Sequence, residues 1–480
     1  MKKRILIFGI MISLSLGFQA CSSDNDPVVG TDDDQGIIPV PVVPGELNLE
    51  DYKNGTGVMM QTFYWDVEPR HGWWNLINGK IEGWANAGVD RLWLPAVSKG
   101  QSGGYSMGYD PSDYFDFGEF MQHGTIPTRF GTRTELETVI ATAHNNGLEV
   151  IADIILNHNS GGGKQFNPFR NKDTYTLFEE TTGNASGMFN RDFNSFHPND
   201  IHERDEGDLF FDEQDLCHHQ PYVQDWLWKN ENSVAKYYKN VMKFDGWRFD
   251  YVKGFGNWVI KEWMKEVGGF AVGENWDGNS QVLIDWVEDT GVAAFDFAAF
   301  YEMEKAFDRH NDLNYLGRNM LRTAHPDLAV TFVANHDTEK ETNPDNRIEA
   351  SNKMKAYAYI LTHDGYPTIF YSDYENAAFQ DELKRLMLIN NSLATGDVEI
   401  LYIDNDEYVM KRSGDGVNPG LILYINTSGN TKRRTITSGW NNTTIMDYSY
   451  KSSFKPTSEA NGSVSIEAPA NSYSIWSITE

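Results

Sequence analysis

Polar residues stand where apolar runs stop at four places in this sequence. They are Asn157-His158 after ADIIL, Arg248-Phe249-Asp250 in GWRFD, Glu274 after AVG, and Asn335-His336-Asp337 after FVA. Three carboxylates, an arginine and two histidines suit glycoside hydrolysis. Retaining cleavage needs an ionised carboxylate as nucleophile and a protonated carboxylic acid about 5–5.5 Å away. Asp and Glu on neighbouring strands, about 4.8 Å apart, meet that separation. An arginine two residues before an aspartate shares its strand face and favours the ionised form. Arg248 is therefore expected to hold the Asp250 pKa down. The acid needs a less polar setting that keeps its proton near neutral pH, and Glu274, followed by Asn275 and Trp276, suits that. A third carboxylate and histidine donors can bind the sugar hydroxyls that gain charge in the transition state.

These residues need strands whose C-terminal ends meet on one rim. Apolar runs at 57–65, 90–97 and 148–158 alternate with helix-like stretches, among them TRTELETVIATAHNNG with a Thr cap and a Gly stop. DGWRFDYV, FAVGENW, AAFDFAAF, AVTFVANHD and PTIFYS complete eight strands. The pattern predicts an α/β fold, a (β/α)8 TIM barrel, whose catalytic groups lie at the C-terminal strand ends. Asp245 offers a rival carboxylate in FDGWRFDYVKG, but it opens the strand, and Asp-Gly there reads as a turn. The expected organisation is a signal peptide over 1–20, a tether over 21–50, the barrel over 51–394 and a β-sandwich over 395–480. A small domain over 159–225 is inserted after strand three, and the closing sandwich is antiparallel.

The net charge of −29 argues against nucleic acid and anionic lipid as partners and fits a neutral substrate. MKKR followed by ILIFGIMISLSLGF reads as an export signal. Gln19-Ala20-Cys21 is similar to a lipoprotein cleavage site, which leaves Cys21 lipidated as a membrane anchor. The following CSSDND resembles a surface-export tag, so the expected location is the outer membrane or cell surface, with ordinary secretion or a periplasmic location as the alternative. Cys217 is the second of two cysteines, so an internal disulfide is excluded. A monomer suffices for everything read here.

ADIILNH (152–158), GWRFDYVKG (246–254), AVGENWD (271–277) and FVANHD (332–337) resemble, in order, the conserved regions of the α-amylase family, glycoside hydrolase family 13. MQTFYWD, SKGQSGGYSMGYDPSDYFD and DEG…DLCH resemble its archaeal and plant members. The resemblance implies Asp250 as nucleophile, Glu274 as general acid/base and Asp337 as transition-state stabiliser. It implies substrate contacts from Tyr109, His158, Arg248, Lys253, Gly254, Trp276 and His336. It also implies Ca²⁺ between barrel and insert, held by Asn157, Asp205, Gly207, Asp215 and Gly254. The insert is one residue longer than the archaeal pattern between Asp205 and Asp215. Zinc is not expected, because His202-Glu203-Arg204 stands where the archaeal members carry a Cys pair.

Other conspicuous residues read more plainly. Trp73 and Trp74 are expected in a helix core, and Asp153 as an anchor for neighbouring side chains. Tyr109 is expected as an exposed ring, Cys217 as a buried small hydrophobe, and His218 and His219 as solvated loop residues. The implied activity is internal cleavage of α-1,4 bonds in starch, glycogen and related α-glucans. The alternatives are a maltooligosaccharide-forming or transglycosylating relative, and a surface lipoprotein that binds starch without cutting it.

Overall fold

Eight strands of three to six residues close into a parallel barrel in the computed structural model. The structure describes residues 45–51, 57–179, 184–204, 206–341 and 343–480. The export signal, Cys21, residues 21–44 of the expected tether and the candidate calcium ligand Asp205 lie outside the described residues, while the last residues of that tether are folded, with Leu47 and Leu49 buried and Leu49–Asp51 a short helix. In chain order the barrel strands are Met59–Gln61, Arg91–Trp93, Glu149–Ile154, Gly246–Phe249, Phe270–Gly273, Ala293–Phe295, Ala329–Phe332 and Tyr366–Phe370. Each pairs with its sequence neighbours, and the first pairs with the last. Runs such as AVTF are buried along their whole length, as strands of a sheet covered on both faces must be. Among the described residues, no helix is long and apolar enough to cross a membrane.

Register is what positions the chemistry. Asp153 pairs with Arg248, and Arg248 pairs with Val272, so the third, fourth and fifth strands reach the rim together. Asp250 follows the fourth strand, with its amide on the Ile154 carbonyl at 3.0 Å. Glu274 follows the fifth, with its amide on the Phe249 carbonyl at 2.9 Å. Asp245 sits at the opposite end, where its carboxylate accepts from the Val150 amide and pairs with His144, both at 2.8 Å.

The helix Arg133–Asn145 starts with the capping box that its sequence announces, Thr132 with Glu135. AAFDFAAF departs from expectation. Only Ala293–Phe295 is strand, and Phe297–Glu304 is helix. Asp296 causes the switch, because its carboxylate accepts the Ala299 amide at 2.9 Å and caps the helix. Trp73 and Trp74 are buried in a short helix, as expected.

The insert opens with the antiparallel hairpin Gly163–Asn167 and Lys172–Leu177. Beyond the barrel, a five-stranded antiparallel sheet covers a two-stranded one, Lys432–Thr437 with Ser463–Ala468. Ile422, Tyr424, Ile436, Ile466 and Trp476 fill the space between them. His363 of the barrel joins this body through Tyr408, with Nε2 and the hydroxyl 2.9 Å apart.

Candidate active site

Arg248, 1% exposed, is the hub of the rim. Its Nη1 lies 2.7 Å from Asp250 Oδ1 and 2.8 Å from Asp153 Oδ1, and its Nη2 lies 2.7 Å from Glu274 Oε1. The guanidinium also stands 5.1 Å from the centre of the Trp93 ring. Asp153 anchors this ensemble by accepting from Trp93 Nε1 at 3.1 Å and the Tyr109 hydroxyl at 2.8 Å.

The electrostatics divide the carboxylates. Burial pushes Glu274 up to about 8, and the charges of Asp250 and Asp337 add to this against the pull of Arg248. Its Oε2 meanwhile accepts the Tyr251 amide at 3.0 Å. Asp250 corrects the expectation drawn from its arginine. Arg248 does pull it down, but burial outweighs that pull, and the group is raised from its ordinary value. Glu274 hydrogen-bonds Asp250 and favours its ionised form. Two buried carboxyl groups sharing one contact hold a proton between them.

Asp337 stands across the rim and is the more open group, its side chain 36% exposed. Asn335 fixes its turn by accepting the Asp337 amide at 3.0 Å and the Thr338 amide at 2.8 Å. His336 is 3.4 Å from Asp337 and is pushed down to about 3 by burial, so its ring is neutral. His158 is also held down by burial, with Nε2 2.8 Å from the Tyr109 carbonyl.

Tyr109 is not the exposed ring that its glycine-rich setting suggests; that place belongs to Tyr105, 70% exposed. The Tyr109 ring is half-buried and near-parallel to His336 at 5.3 Å and to Trp65 at 5.6 Å. Trp65 and His336 are parallel within 6° at 5.9 Å. These three rings make a flat wall beside the carboxylates. Trp65 and Gln61, whose Nε2 lies 2.8 Å from His336 Nδ1, belong to the site although neither is a charged group at a strand end. Their signal was the aromatic MQTFYWD run at the end of the first strand.

Lys253 pairs with Asp277 at 2.8 Å, and Trp276 donates to the Tyr301 hydroxyl at 2.8 Å while stacking on Phe297. His218 corrects another expectation. It is 2% exposed, with Nε2 3.0 Å from the Leu156 carbonyl, because Trp228 and Phe255 pack over it. His219 remains partly exposed beside Glu206, and Cys217 is buried.

Of the implied calcium ligands, Asn157, Gly207, Asp215 and Gly254 gather at one junction. Asn157 Oδ1 and Asp215 Oδ1 are buried oxygens without hydrogen-bond partners. The other Asp215 oxygen lies 2.8 Å from His197 Nδ1. A Cβ on Gly254 would stand 1.8 Å from Asn157 Oδ1, and one on Gly207 would stand 2.3 Å from the Lys253 carbonyl. Idle oxygens from an amide and a carboxylate, beside the close-packed backbone of Gly207 and Gly254, fit a hard cation. Among the described residues, no three His, Cys, Asp or Glu side chains gather as a metal cluster.

The "Alpha amylase, catalytic domain" family model matches residues 50–397, and the "Alpha-amylase C-terminal" model matches 421–477. The chain belongs to the α-amylase family. It is 28% identical to the cytoplasmic alpha-amylase of Escherichia coli (strain K12), over 88% of this chain and 99% of that protein. It is 29% identical to the glucan 1,4-alpha-maltohexaosidase of a Bacillus species (strain 707), over 68% of this chain and 73% of that protein. The solved Anoxybacillus alpha-amylase shares its fold, with a TM-score of 0.66 at 19% identity over 88% of this chain and 98% of that one. This α-amylase family member is accordingly a glycoside hydrolase of α-1,4-glucans.

Proposed function

We propose that the enzyme cuts internal α-1,4-glucosidic bonds of starch, glycogen and related α-glucans with retention of configuration. The observation that carries this reading is the single guanidinium that holds Asp250 and Glu274 at 2.7 Å each, on adjacent strands. It gathers an attacking carboxylate and a proton-bearing one at the same bond. A sugar seated on the wall of Tyr109, His336 and Trp65 presents its anomeric carbon to Asp250. Glu274 gives its proton to the glycosidic oxygen as Asp250 forms the new C1–O bond and the leaving chain departs. Glu274, now ionised, takes a proton from water, whose oxygen attacks C1 and frees Asp250. Asp337 and the neutral imidazoles of His158 and His336 bind the sugar hydroxyls as positive charge builds at the ring.

The implied calcium would be held by Asn157, Asp215 and the carbonyls of Gly207 and Gly254, with Asp205 as a further ligand. When bound, it supplies a cross-link between strand end and insert, not a reacting group. Export with a lipid anchor at Cys21 is part of the same proposal and rests on the N-terminal sequence alone.

Asp250→Asn tests the reading. Reducing-sugar release from soluble starch should fall by at least about a thousandfold with starch binding retained. The first product observed by proton NMR should carry the α-anomer. Wild-type protein that binds starch and releases nothing would instead support the non-catalytic alternative.

A further inference from the structure

We infer that Gln61 is a positioning residue whose amide fixes the tautomer of His336, so that Nε2–H faces Asp337 and the sugar; this rests on the hydrolase reading above. Gln61 ends the first barrel strand, in register with Trp93 and Phe370, and is fully buried. A glutamine is costly there, because both ends of its amide lose their water. Only one end is compensated. Nε2 lies 2.8 Å from His336 Nδ1, while Oε1 is buried without a partner. A methionine would fill the same space without stranding an oxygen, so packing alone does not account for the amide.

The His336 ring has no freedom to seek another partner. Trp65 and Tyr109 lie within 6° and 7° of parallel to it, and Phe63 and Trp93 pack at 4.9 and 5.7 Å. Its nitrogens therefore point along fixed lines, Nδ1 to Gln61 and Nε2 to Asp337 Oδ2 at 3.4 Å. Burial keeps the ring neutral, and the charge of Arg248 adds to this against that of Asp153. A neutral imidazole carries one N–H, and the bond made at one nitrogen decides which it is.

Asp337 and Gln61 select the same tautomer from opposite ends. An ionised carboxylate only accepts, so a bare Nε2 would set two acceptors against each other. With the hydrogen on Nε2, Nδ1 must accept, and the amide NH2 of Gln61 meets it. The reversed amide would turn Oε1 to the bare Nδ1 and strand an NH2 group instead. The separation of 3.4 Å is long for a hydrogen bond, which leaves the Nε2–H available to substrate. A sugar hydroxyl between the two groups accepts from Nε2 and donates to Asp337. Its single hydrogen could not serve two acceptors, so the wrong tautomer would lose one of these bonds as charge builds at the sugar.

Two measurements test this. In protein labelled with 15N-histidine, the His336 signal, assigned by its loss in His336→Gln, should show a neutral ring with its hydrogen on Nε2. A hydrogen on Nδ1 overturns the inference, whatever the variants do. Gln61→Met keeps the volume and removes the donor. Its kcat on maltoheptaose should fall about ten- to a hundredfold with KM little changed, as for an interaction made in the transition state. In a His336→Gln background the same change should cost less than about twofold, because Gln61 acts through that ring. Equal losses in the two backgrounds, or an unchanged kcat in Gln61→Met, overturn the positioning role. Wild-type protein that binds starch and releases nothing overturns the hydrolase reading instead, and the positioning role with it, even where the ring carries its hydrogen on Nε2.

Discussion

Arg248 touches three carboxylates, and what each gains from it depends on what else surrounds it. Asp153 is spoken for by Trp93 and Tyr109, Asp250 is hydrogen-bonded by Glu274, and Glu274 is raised to about 8. Since the proposed acid, Glu274, works only when protonated, kcat/KM should fall about tenfold per pH unit once pH rises through about 8. A pH–rate profile on a maltooligosaccharide checks this, and a basic limb near pH 5 would sink the assignment. The same shift bears on stability. Glu274 is raised in the folded state, so between its ordinary value of 4.5 and about 8 the unfolded chain is ionised while the folded one keeps its proton. Stability therefore falls with rising pH across that window. Glu274→Gln lacks this dependence, so its melting temperature should gain on wild type from pH 4.5 to 8 and level off above. A constant difference would refute the shift. Asp250, Glu274 and Asp337 were legible in the sequence because charges at buried strand ends are costly without a task. Trp65 was marked only by its place in the aromatic MQTFYWD run, since an aromatic ring at a strand end looks like any core residue. The net direction at Asp250 was not legible, because burial is a property of the assembled rim.

Elements set how far such reading extends. Thr132 and Glu135 mark a helix start by local hydrogen bonds alone, and local chemistry survives folding unchanged. AAFDFAAF carries no such self-evident label, since an apolar run serves a buried strand or a buried helix equally well. Asp296 decides it, and its other partners are remote in sequence. Besides the Ala299 amide, its carboxylate accepts from the Arg322 amide at 2.9 Å and the Leu321 amide at 3.4 Å. Each buried amide stripped of its partner costs about 1–3 kcal/mol, so Asp296→Ala should lose on the order of 3 kcal/mol or more. Asp296→Asn keeps the carbonyl that caps the helix and should lose less. Denaturant melts compare the two, and equal losses would mean that the negative charge, not the cap, is what counts.

At the scale of the molecule, the question is what keeps an irregular insert registered on a rigid barrel. Asn157 stands at that seam. Its carbonyl accepts the Leu216 amide at 3.0 Å, its Nδ2 holds the Phe210 carbonyl, and its Oδ1 is left idle in a buried space. Hydrogen bonds alone thus leave the seam with unused oxygens. The proposed calcium would engage them and tie the insert to the strand end. Calcium at a hundredfold excess over its Kd should add about 3 kcal/mol to stability. Chelation should lower the melting temperature and the starch-cleaving activity together. Gly254→Ala sharpens the test, because its Cβ would stand 1.8 Å from Asn157 Oδ1 and must displace that oxygen. The variant's melt should then be nearly the same with calcium as with chelator, while wild type keeps its calcium-dependent gain. A wild-type melt unmoved by exhaustive chelation would count against the site, because buried oxygens that already cost the fold their hydration would then have no cation to compensate them.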